Sequence, residues 1–275
     1  KKCSIPIVFA VSHNNDTKKM YGISNESYRK LSIKQFYRDV RLNLILLWNH
    51  AGYKIVDGIV VNNRHHLNIL NKTQQIYIPN SNTPELVEFQ WPKPFIAWVA
   101  NLKRSKRPEV FVELAKKLEE MNIDFLLVGE IQDEKYSYFY NSNEMPSNLH
   151  YLGSRSLLEV NGILQKSLFL VHTCYPEGFP GNFIQAWLQG KPVVSFEFDP
   201  GGLILSEGLG FVSGADMYQF ENDLKKLIDD PELRHKIGER AKSYSNKNFS
   251  PDINVRELER FLLNILQSKQ HNHAL

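Results

Sequence analysis

The sequence has few cysteines, little net charge and no long apolar run, and each shortage excludes a class of protein. Only Cys3 and Cys174 occur among 275 residues, which excludes a disulfide framework or a cysteine-rich metal cluster and favours a reducing, cytoplasmic compartment. A formal net charge of +3 gives no indication of nucleic-acid binding. The apolar run Leu44 to Trp48 is far shorter than the roughly 20 residues that cross a bilayer.

The length and composition predict a globular protein of two domains. Apolar residues make up 42% and charged residues 23% of the chain, which allows a substantial core. A length of 275 residues exceeds the roughly 100 to 200 residues of one ordinary domain. The chain begins KKCSIPIVFAV, with no initiator Met, and we expect a fragment or a processed chain.

Basic residues are concentrated in the first third of the chain. Residues 1–94 carry 13 basic and 6 acidic residues, whereas the remainder carries 20 and 24. A helical pattern over residues 25–50 places Arg38 and Arg41 beside Leu42, Ile45, Leu46 and Trp48. This helix could lie on a membrane surface as a peripheral contact, but a core-facing helix with a basic outer side is the favoured interpretation.

Strands alternate with helices along the whole chain, which predicts an α/β protein with parallel sheets. The proline-rich stretch NSNTPELVEFQWPKP, residues 80–94, is the best linker candidate. The predicted domains are Rossmann-like and cover residues 1–84 and 85–250. A final helix over residues 251–275 is expected to pack back toward the first domain.

The stretch LFLVHTCYPEGFPGNFIQAWLQGKPVVSF, residues 168–196, predicts a strand, a loop, a helix and a second strand. The helix is expected to begin at Pro180 and to stop at Gly190. Glu177 is then a carboxylate at a loop tip, and Gly178 and Gly181 allow backbone to approach a ligand closely. The unpaired N–H groups of the helix start form an anion site.

A cluster of four cations follows the predicted strand FIAWVA and consists of Lys103, Arg104, Lys106 and Arg107. Because the carboxyl ends of parallel strands share one edge of a sheet, this cluster and the Glu177 loop are expected to lie together. Taken alone, Glu177 could be only a favourable charge near a helix start, and the basic cluster could be only a solvated loop. Together they predict a site for a diphosphate.

The segments WVANLKRSKRPEVFVELAKKL, FLLVGE, HYLG, TCYPEGFPGNFIQAWLQGKPVVSF and GLGFV, in this order, closely resemble the C-terminal domain of glycosyltransferase family 4. Residues 1–80 more weakly resemble part of that family's N-terminal domain, so the N-terminal domain is expected to be incomplete. The resemblance implies two Rossmann-like domains of the GT-B type and a nucleotide-diphosphate sugar as donor. It also implies a glycan or lipid-linked acceptor, retention of configuration, and no metal ion or other cofactor.

The resemblance further implies roles for individual residues. Glu177 and His13 would contact the transferred sugar, and Lys106 would bind the diphosphate. Backbone around the sugar, diphosphate and base would come from Gly178, Phe179, Pro180, Gly181, Gly153, Ser154 and Arg155.

Two residues depart from the family pattern. Gln185 replaces a glutamate that holds the ribose hydroxyls, and its carbonyl oxygen could accept the same hydrogen bonds more weakly. Asn101 replaces a diphosphate-binding arginine, for which Lys103 or Arg104 could substitute. Because of these departures, a non-catalytic module that binds a nucleotide sugar is one alternative function. A nucleotide-sugar epimerase of similar fold is the other.

Four further residues give weaker signals. His172 lies inside a predicted buried strand and is expected to be a core histidine with its hydrogen bonds satisfied. Cys174 lies beside the predicted site, but we expect no nearby His or Lys that would activate its thiolate. His65 and His66 are adjacent and point to different faces, which disfavours a shared metal site.

Overall fold

The computed structural model describes residues 5–11, 33–62, 67, 74–141 and 145–271. The predicted site residue His13 and the histidine pair His65 and His66 lie outside these residues. The chain divides into two compact units, one formed by residues 1–79 with 252–275 and the other by residues 80–251.

The first unit contains a parallel three-stranded sheet in the order β1-β2-β3. Buried apolar residues from this sheet and from α1, among them Tyr53 and Ile59, form its core. A Cβ at Gly58 would come within 2.3 Å of Ile265 Cδ1, so α8 packs closely against β2. The elements of this unit are β1 (Val8–Val11), α1 (Ile33–Ile55), β2 (Gly58–Val61), β3 (Gln75–Tyr77) and α8 (Pro251–His271).

Helix α1 differs from the expected core-facing helix. Leu46 and Tyr53 are buried, but Ile45 is 45% and Trp48 is 78% exposed. Apolar residues occupy more than one face of this helix, and only one stripe of them can contact the sheet. Among the helices described, none is both long enough and apolar enough to cross a membrane.

The second unit is a six-stranded parallel sheet in the order β6-β5-β4-β7-β8-β9. In chain order this is the 3-2-1-4-5-6 arrangement of a doubly wound Rossmann sheet, with its switch point between β4 and β7. The predicted parallel α/β fold class is confirmed. The strands are β4 (Phe95–Val99), β5 (Asp124–Val128), β6 (Leu149–Gly153), β7 (Leu170–His172), β8 (Val193–Ser195) and β9 (Gly210–Val212).

Helices cover both faces of this sheet. Ile96 and Trp98 of β4 join one hydrophobic core, while Phe95 and Ala97 join the other, as alternation along a strand requires. Both faces of the sheet are therefore buried from water, which explains the continuous apolar runs in the sequence. The helices are α2 (Pro108–Lys117), α3 (Leu157–Lys166), α4 (Gly181–Leu188), α5 (Leu203–Ser206), α6 (Met217–Asp229) and α7 (Pro231–Asn248).

Candidate functional site

A cavity of about 420 Å³ lies at the carboxyl edge of the second sheet. It spans the switch point, because the ends of β4 and β5 and the loop after β7 all contribute to its walls. Ligands of open α/β sheets bind at this place. The lining residues are Val99, Ala100, Asn101, Lys103, Lys106, Val128, Gly129, Ser154, Arg155, Val160, Glu177, Phe179, Pro180, Gly181 and Asn182.

Arg107 holds the cation-bearing loop against the neighbouring strand. Its backbone is left-handed, with φ of 47°, a conformation that costs a non-glycine residue roughly 1 to 2 kcal/mol. Its Nε donates to the Thr173 carbonyl at 2.7 Å, and its Nη2 pairs with Glu197 at 2.8 Å. The guanidinium also lies 5.3 Å from the centroid of the Phe196 ring. These contacts offset the backbone strain and fix the loop.

Thr173 completes this connection from the opposite side. Its hydroxyl donates to the Lys106 carbonyl at 2.6 Å and accepts a hydrogen bond from Trp98 Nε1 at 2.8 Å. Thr173 is fully buried, so both bonds form away from competing water. The backbone of Lys106 is thereby tied to both strands at the switch point.

The side chain of Lys106 forms an ion pair with Glu177 across the cavity wall. The two side chains are 20% and 22% exposed, so a ligand can reach them. Positive and negative charge compensate each other here. A diphosphate that binds in the cavity would therefore compete with Glu177 for the Lys106 ammonium.

The start of α4 forms another wall. Gly181 is the first residue of this eight-residue helix, and the first N–H groups of a helix have no partner within it. Asn182 donates from Nδ2 to the Val99 carbonyl at 2.7 Å, which ties the helix start to the end of β4. Its Oδ1 is buried and has no hydrogen-bond partner among the residues that the structure describes. It is an acceptor that the described residues leave unused beside the cavity.

Gly129 lets the ends of β4 and β5 approach each other at the cavity. A Cβ at this position would lie 1.8 Å from the Ala100 carbonyl oxygen, and φ is +151°. Only glycine fits there without displacing backbone. The position of a glycine directly after an apolar strand, in VGE, is the signal that could have identified it.

The structure brings most of the predicted site residues to this cavity. Gly153, Gly178 and Gln185 are outside its lining, and His13 lies outside the described residues. The lining includes the predicted residues Glu177, Lys106, Asn101, Lys103, Phe179, Pro180, Gly181, Ser154 and Arg155. Sequence reasoning missed Gly129, Asn182 and the apolar wall Val99, Ala100, Val128 and Val160.

Gln185 is bonded within the fold. It is 8% exposed, and its Nε2 donates to Asn161 Oδ1 at 2.9 Å. Asn161 in turn donates from Nδ2 to the carbonyls of Thr83, at 3.0 Å, and Glu85, at 2.6 Å. The Gln185 side chain therefore connects α4 to α3 and, through Asn161, to the linker. Helical spacing alone does not reveal this role.

His172 differs from the expected satisfied core histidine. Its Nδ1 lies 3.3 Å from the Ser195 hydroxyl, and that hydroxyl donates to the Phe198 carbonyl at 2.6 Å. Nε2 is buried without a hydrogen-bond partner in the described part of the chain. Burial, together with the positive charges of Lys106 and Arg107, lowers the pKa of His172 to about 3. The imidazole is therefore neutral.

Cys174 has ionisable neighbours, of which only Lys106 is distant in the sequence. A ring nitrogen of His172, the Cys174 Sγ and a Glu177 carboxylate oxygen lie within 4.8 Å of one another. The expectation that no His or Lys is close is wrong, because Lys106 also interacts with the thiol. Burial nevertheless raises the pKa of Cys174 to about 12, so the thiol is protonated and is not an activated nucleophile.

A doubly wound sheet whose switch-point cavity offers a lysine, a carboxylate and a helix start is typical of a nucleotide-binding α/β domain. Comparison with known proteins identifies the family. Residues 84–244 match the family described as "Glycosyl transferases group 1", which is more than half of the chain. The chain belongs to this family.

Two curated relatives illustrate the similarity. An uncharacterized glycosyltransferase of Methanocaldococcus jannaschii is 27% identical over 182 residues, which is 64% of this chain and 50% of the relative. Glycosyltransferase 1 domain-containing protein 1 of Xenopus tropicalis is 22% identical over 173 residues, or 61% of this chain and 49% of the relative. The chain thus spans about half the length of these relatives.

Solved structures share the fold. HepE of Anabaena, crystallised in complex with UDP-glucose, superposes with a TM-score of 0.64 at 15% identity over 98% of this chain and 72% of HepE. Sucrose-phosphate synthase from Thermosynechococcus elongatus superposes with a TM-score of 0.67 at 15% identity over 97% of this chain and 68% of that enzyme. These neighbours confirm the predicted GT-B fold class.

Proposed function

We propose that this protein is a retaining glycosyltransferase of the family 4 type. It transfers a sugar from a nucleotide-diphosphate sugar to a glycan or lipid-linked acceptor in surface polysaccharide or glycoconjugate synthesis. One observation carries the proposal: Lys106 and Glu177, a cation for the diphosphate and an acceptor for sugar hydroxyls, meet beside the start of α4. Family membership and neighbours such as HepE, whose structure contains UDP-glucose, support a nucleotide sugar as the donor.

Lys106 and α4 stabilise the leaving group. As the bond from the anomeric carbon to the β-phosphate oxygen breaks, negative charge develops on the diphosphate. The first N–H groups of α4 are fixed donors near this charge, and the Lys106 ammonium joins them when it turns from Glu177 to the diphosphate. A helix start contributes roughly 0.3 to 1 kcal/mol to such binding, so the lysine is the larger contributor. This arrangement supplies positive charge from the chain itself, and we propose that no metal cofactor is required.

Glu177 orients the sugar once Lys106 has moved to the diphosphate. Its carboxylate then accepts hydrogen bonds from sugar hydroxyls, and the backbone of Phe179 and Pro180 lies beside them. The acceptor hydroxyl attacks the face that the diphosphate leaves, so configuration is retained. Its proton passes to the departing phosphate oxygen, and His13 contacts the transferred sugar.

The remaining contacts involve the nucleotide. Ser154 and Arg155 line the cavity next to β6, and we assign the base to this wall, with Gly153 at the preceding turn. Asn182 Oδ1, a buried acceptor, is an additional partner for a ribose or sugar hydroxyl. The scarcity of cysteine and the basic residues of 1–94 support a cytoplasmic reaction with peripheral contact to an anionic membrane surface.

A non-catalytic nucleotide-sugar-binding module is the second candidate. Asn101 is neutral and accepts a hydrogen bond from the Glu130 N–H at 3.3 Å, and Gln185 is bonded to Asn161. Such a site binds a diphosphate with fewer charges than the family pattern provides. Turnover distinguishes this candidate from the transferase.

Nucleotide binding and sugar transfer are measured separately. UDP, GDP and ADP are compared by thermal shift, since a ligand at 100 times its dissociation constant adds about 2.7 kcal/mol to stability. Lys106→Met should weaken diphosphate binding by more than roughly tenfold, whereas the matched Lys103→Met on the same loop should have a smaller effect. The matching nucleotide sugar is then supplied with acceptors, and the anomeric configuration of the product is read by NMR.

Each result has a defined meaning. Binding with transfer and retention supports the transferase, and binding without transfer to any acceptor selects the binding module. Absence of binding to all three diphosphates, or unchanged diphosphate binding in Lys106→Met, contradicts the proposed donor site.

A further inference from the structure

Three potential metal-ligating side chains meet beside the cavity, and one of them, Glu177, lines it. A His172 ring nitrogen, the Cys174 Sγ and a Glu177 carboxylate oxygen lie within 4.8 Å of one another. His172 and Cys174 are each 2% exposed, whereas Glu177 lines the open cavity. The group thus has two buried members and one accessible one.

The hydrogen bonding of His172 determines which nitrogen is available. Because the Ser195 hydroxyl uses its proton on the Phe198 carbonyl, it can only accept from His172 Nδ1. The proton of the neutral imidazole is then on Nδ1, and Nε2 carries a lone pair. That nitrogen is buried and has no hydrogen-bond partner among the described residues. Such an arrangement, with the second nitrogen oriented by a hydrogen bond, is typical of a metal-ligating histidine.

We propose that His172, Cys174 and Glu177 form a site for a thiophilic divalent cation such as Zn²⁺, and that the ion inhibits donor binding. Imidazole, thiolate and carboxylate are the ligands that Zn²⁺ prefers, and three protein ligands leave a fourth position for water or phosphate. Bond lengths of about 2.0 to 2.3 Å require the three atoms to draw closer than they are now. Glu177 can supply this movement because it lies in a loop.

Lys106 competes with the ion. Its ammonium already pairs with Glu177 and interacts with Cys174, so it supplies positive charge where the metal would bind. Coordination displaces Lys106 from Glu177 and releases the Cys174 thiol proton to solvent, since a coordinating thiol is deprotonated. Glu177 is then no longer available to a sugar, and the ion adds a positive charge directly behind this wall of the cavity. Metal binding itself does not depend on the proposed function; only the inhibition does.

Cobalt(II) titration of the whole chain tests the site directly. Co²⁺ bound to a thiolate gives a near-ultraviolet charge-transfer band that His and carboxylate ligands do not produce. We expect the band in the wild type and in Cys3→Ser, and its loss in Cys174→Ser. Competition by Zn²⁺ should abolish the band, whereas Mg²⁺, which prefers oxygen ligands, should not. His172→Gln should weaken Co²⁺ binding by more than roughly tenfold.

Lys106→Gln provides a gain-of-affinity test that does not depend on a damaged fold. Removing the competing ammonium should tighten Co²⁺ binding, and the matched Lys103→Gln should not. No band in folded wild type and Lys106→Gln, or a band that persists in Cys174→Ser, overturns the proposed site. UDP titration without metal tests the proposed function separately. A Zn²⁺ site that leaves UDP affinity unchanged overturns only the inhibition.

Discussion

Gln185 donates a hydrogen bond to Asn161 Oδ1 at 2.9 Å, and this bond connects α4 to the linker that Asn161 holds through the Thr83 and Glu85 carbonyls. Asn161 uses its amide nitrogen on both carbonyls, so its oxygen must face Gln185. The glutamine amide is therefore the matching donor, and a glutamate at this position would lack it.

Gln185→Glu should destabilise the protein and should not tighten UDP binding. A carboxylate would place an acceptor against the Asn161 oxygen in a buried setting, at a cost of about 1 to 3 kcal/mol. Urea unfolding measures the loss, with Gln165→Glu, at an exposed position on α3, as the matched control with a smaller effect. Tighter UDP binding without loss of stability would show that residue 185 contacts the ribose instead.

Arg107 should tolerate glycine better than alanine. Both substitutions remove the contacts with Thr173, Glu197 and Phe196, but only alanine keeps the cost of φ at 47°. We expect Arg107→Ala to be less stable than Arg107→Gly by about 1 kcal/mol, and both to be less stable than the wild type. Equal stability of the two variants would contradict the left-handed backbone at this position.

Two glycines of the cavity should respond in opposite ways. Gly129→Ala drives a Cβ to within 1.8 Å of the Ala100 carbonyl oxygen, and we expect a loss of about 3 kcal/mol or more. Gly181→Ala meets no atom within 4 Å, so stability should stay the same or rise by about 0.4 to 1 kcal/mol.

Gly181→Ala also tests the ligand. If the diphosphate approaches the start of α4, the added methyl should weaken UDP binding by roughly tenfold or more while stability is kept. Thermal unfolding and calorimetric UDP titration give the two quantities. Unchanged UDP affinity in a folded Gly181→Ala protein would place the diphosphate elsewhere.

His172 should make the protein sensitive to acid. Its pKa is about 3 in the folded chain, below the ordinary histidine value of 6.5, so below pH 6.5 the unfolded chain binds a proton that the folded chain rejects. The stability that comes from the neutral, buried imidazole is present above pH 6.5 and is lost as pH falls toward 3. The loss attributable to this residue is at most about 1.4 kcal/mol per pH unit.

The acid effect is measured as a difference between proteins. Urea unfolding from about pH 7 to 4, the range over which only the unfolded histidine gains its proton, should show a steeper decline in the wild type than in His172→Leu. His235→Gln, a substitution at an exposed position on α7, controls for the loss of a histidine. Parallel declines in the wild type and His172→Leu would show that His172 is protonated in the folded chain.

The sequence by itself determined the strands, the helices and the family resemblance of residues 95–250. Apolar runs such as FIAWV and DFLLV predict strands that are buried on both faces. The side chains of such a strand are mostly apolar on both sides, because neither face of the sheet is open to water. Pro180 indicated a helix start, which the structure places at Gly181. The meeting of the Lys106 and Glu177 loops also followed from the sequence, since parallel strands bring their carboxyl ends to one edge.

Only the tertiary structure decided which partner each polar side chain has. Gln185 bonds to Asn161, Arg107 reaches Glu197, and His172 lies with Cys174 and Lys106. Helical and strand spacing gives the face on which a residue lies but not the distant segment that packs there. Hydrogen bonds and desolvation depend on that segment, so the charge and bonding of the site were settled by packing.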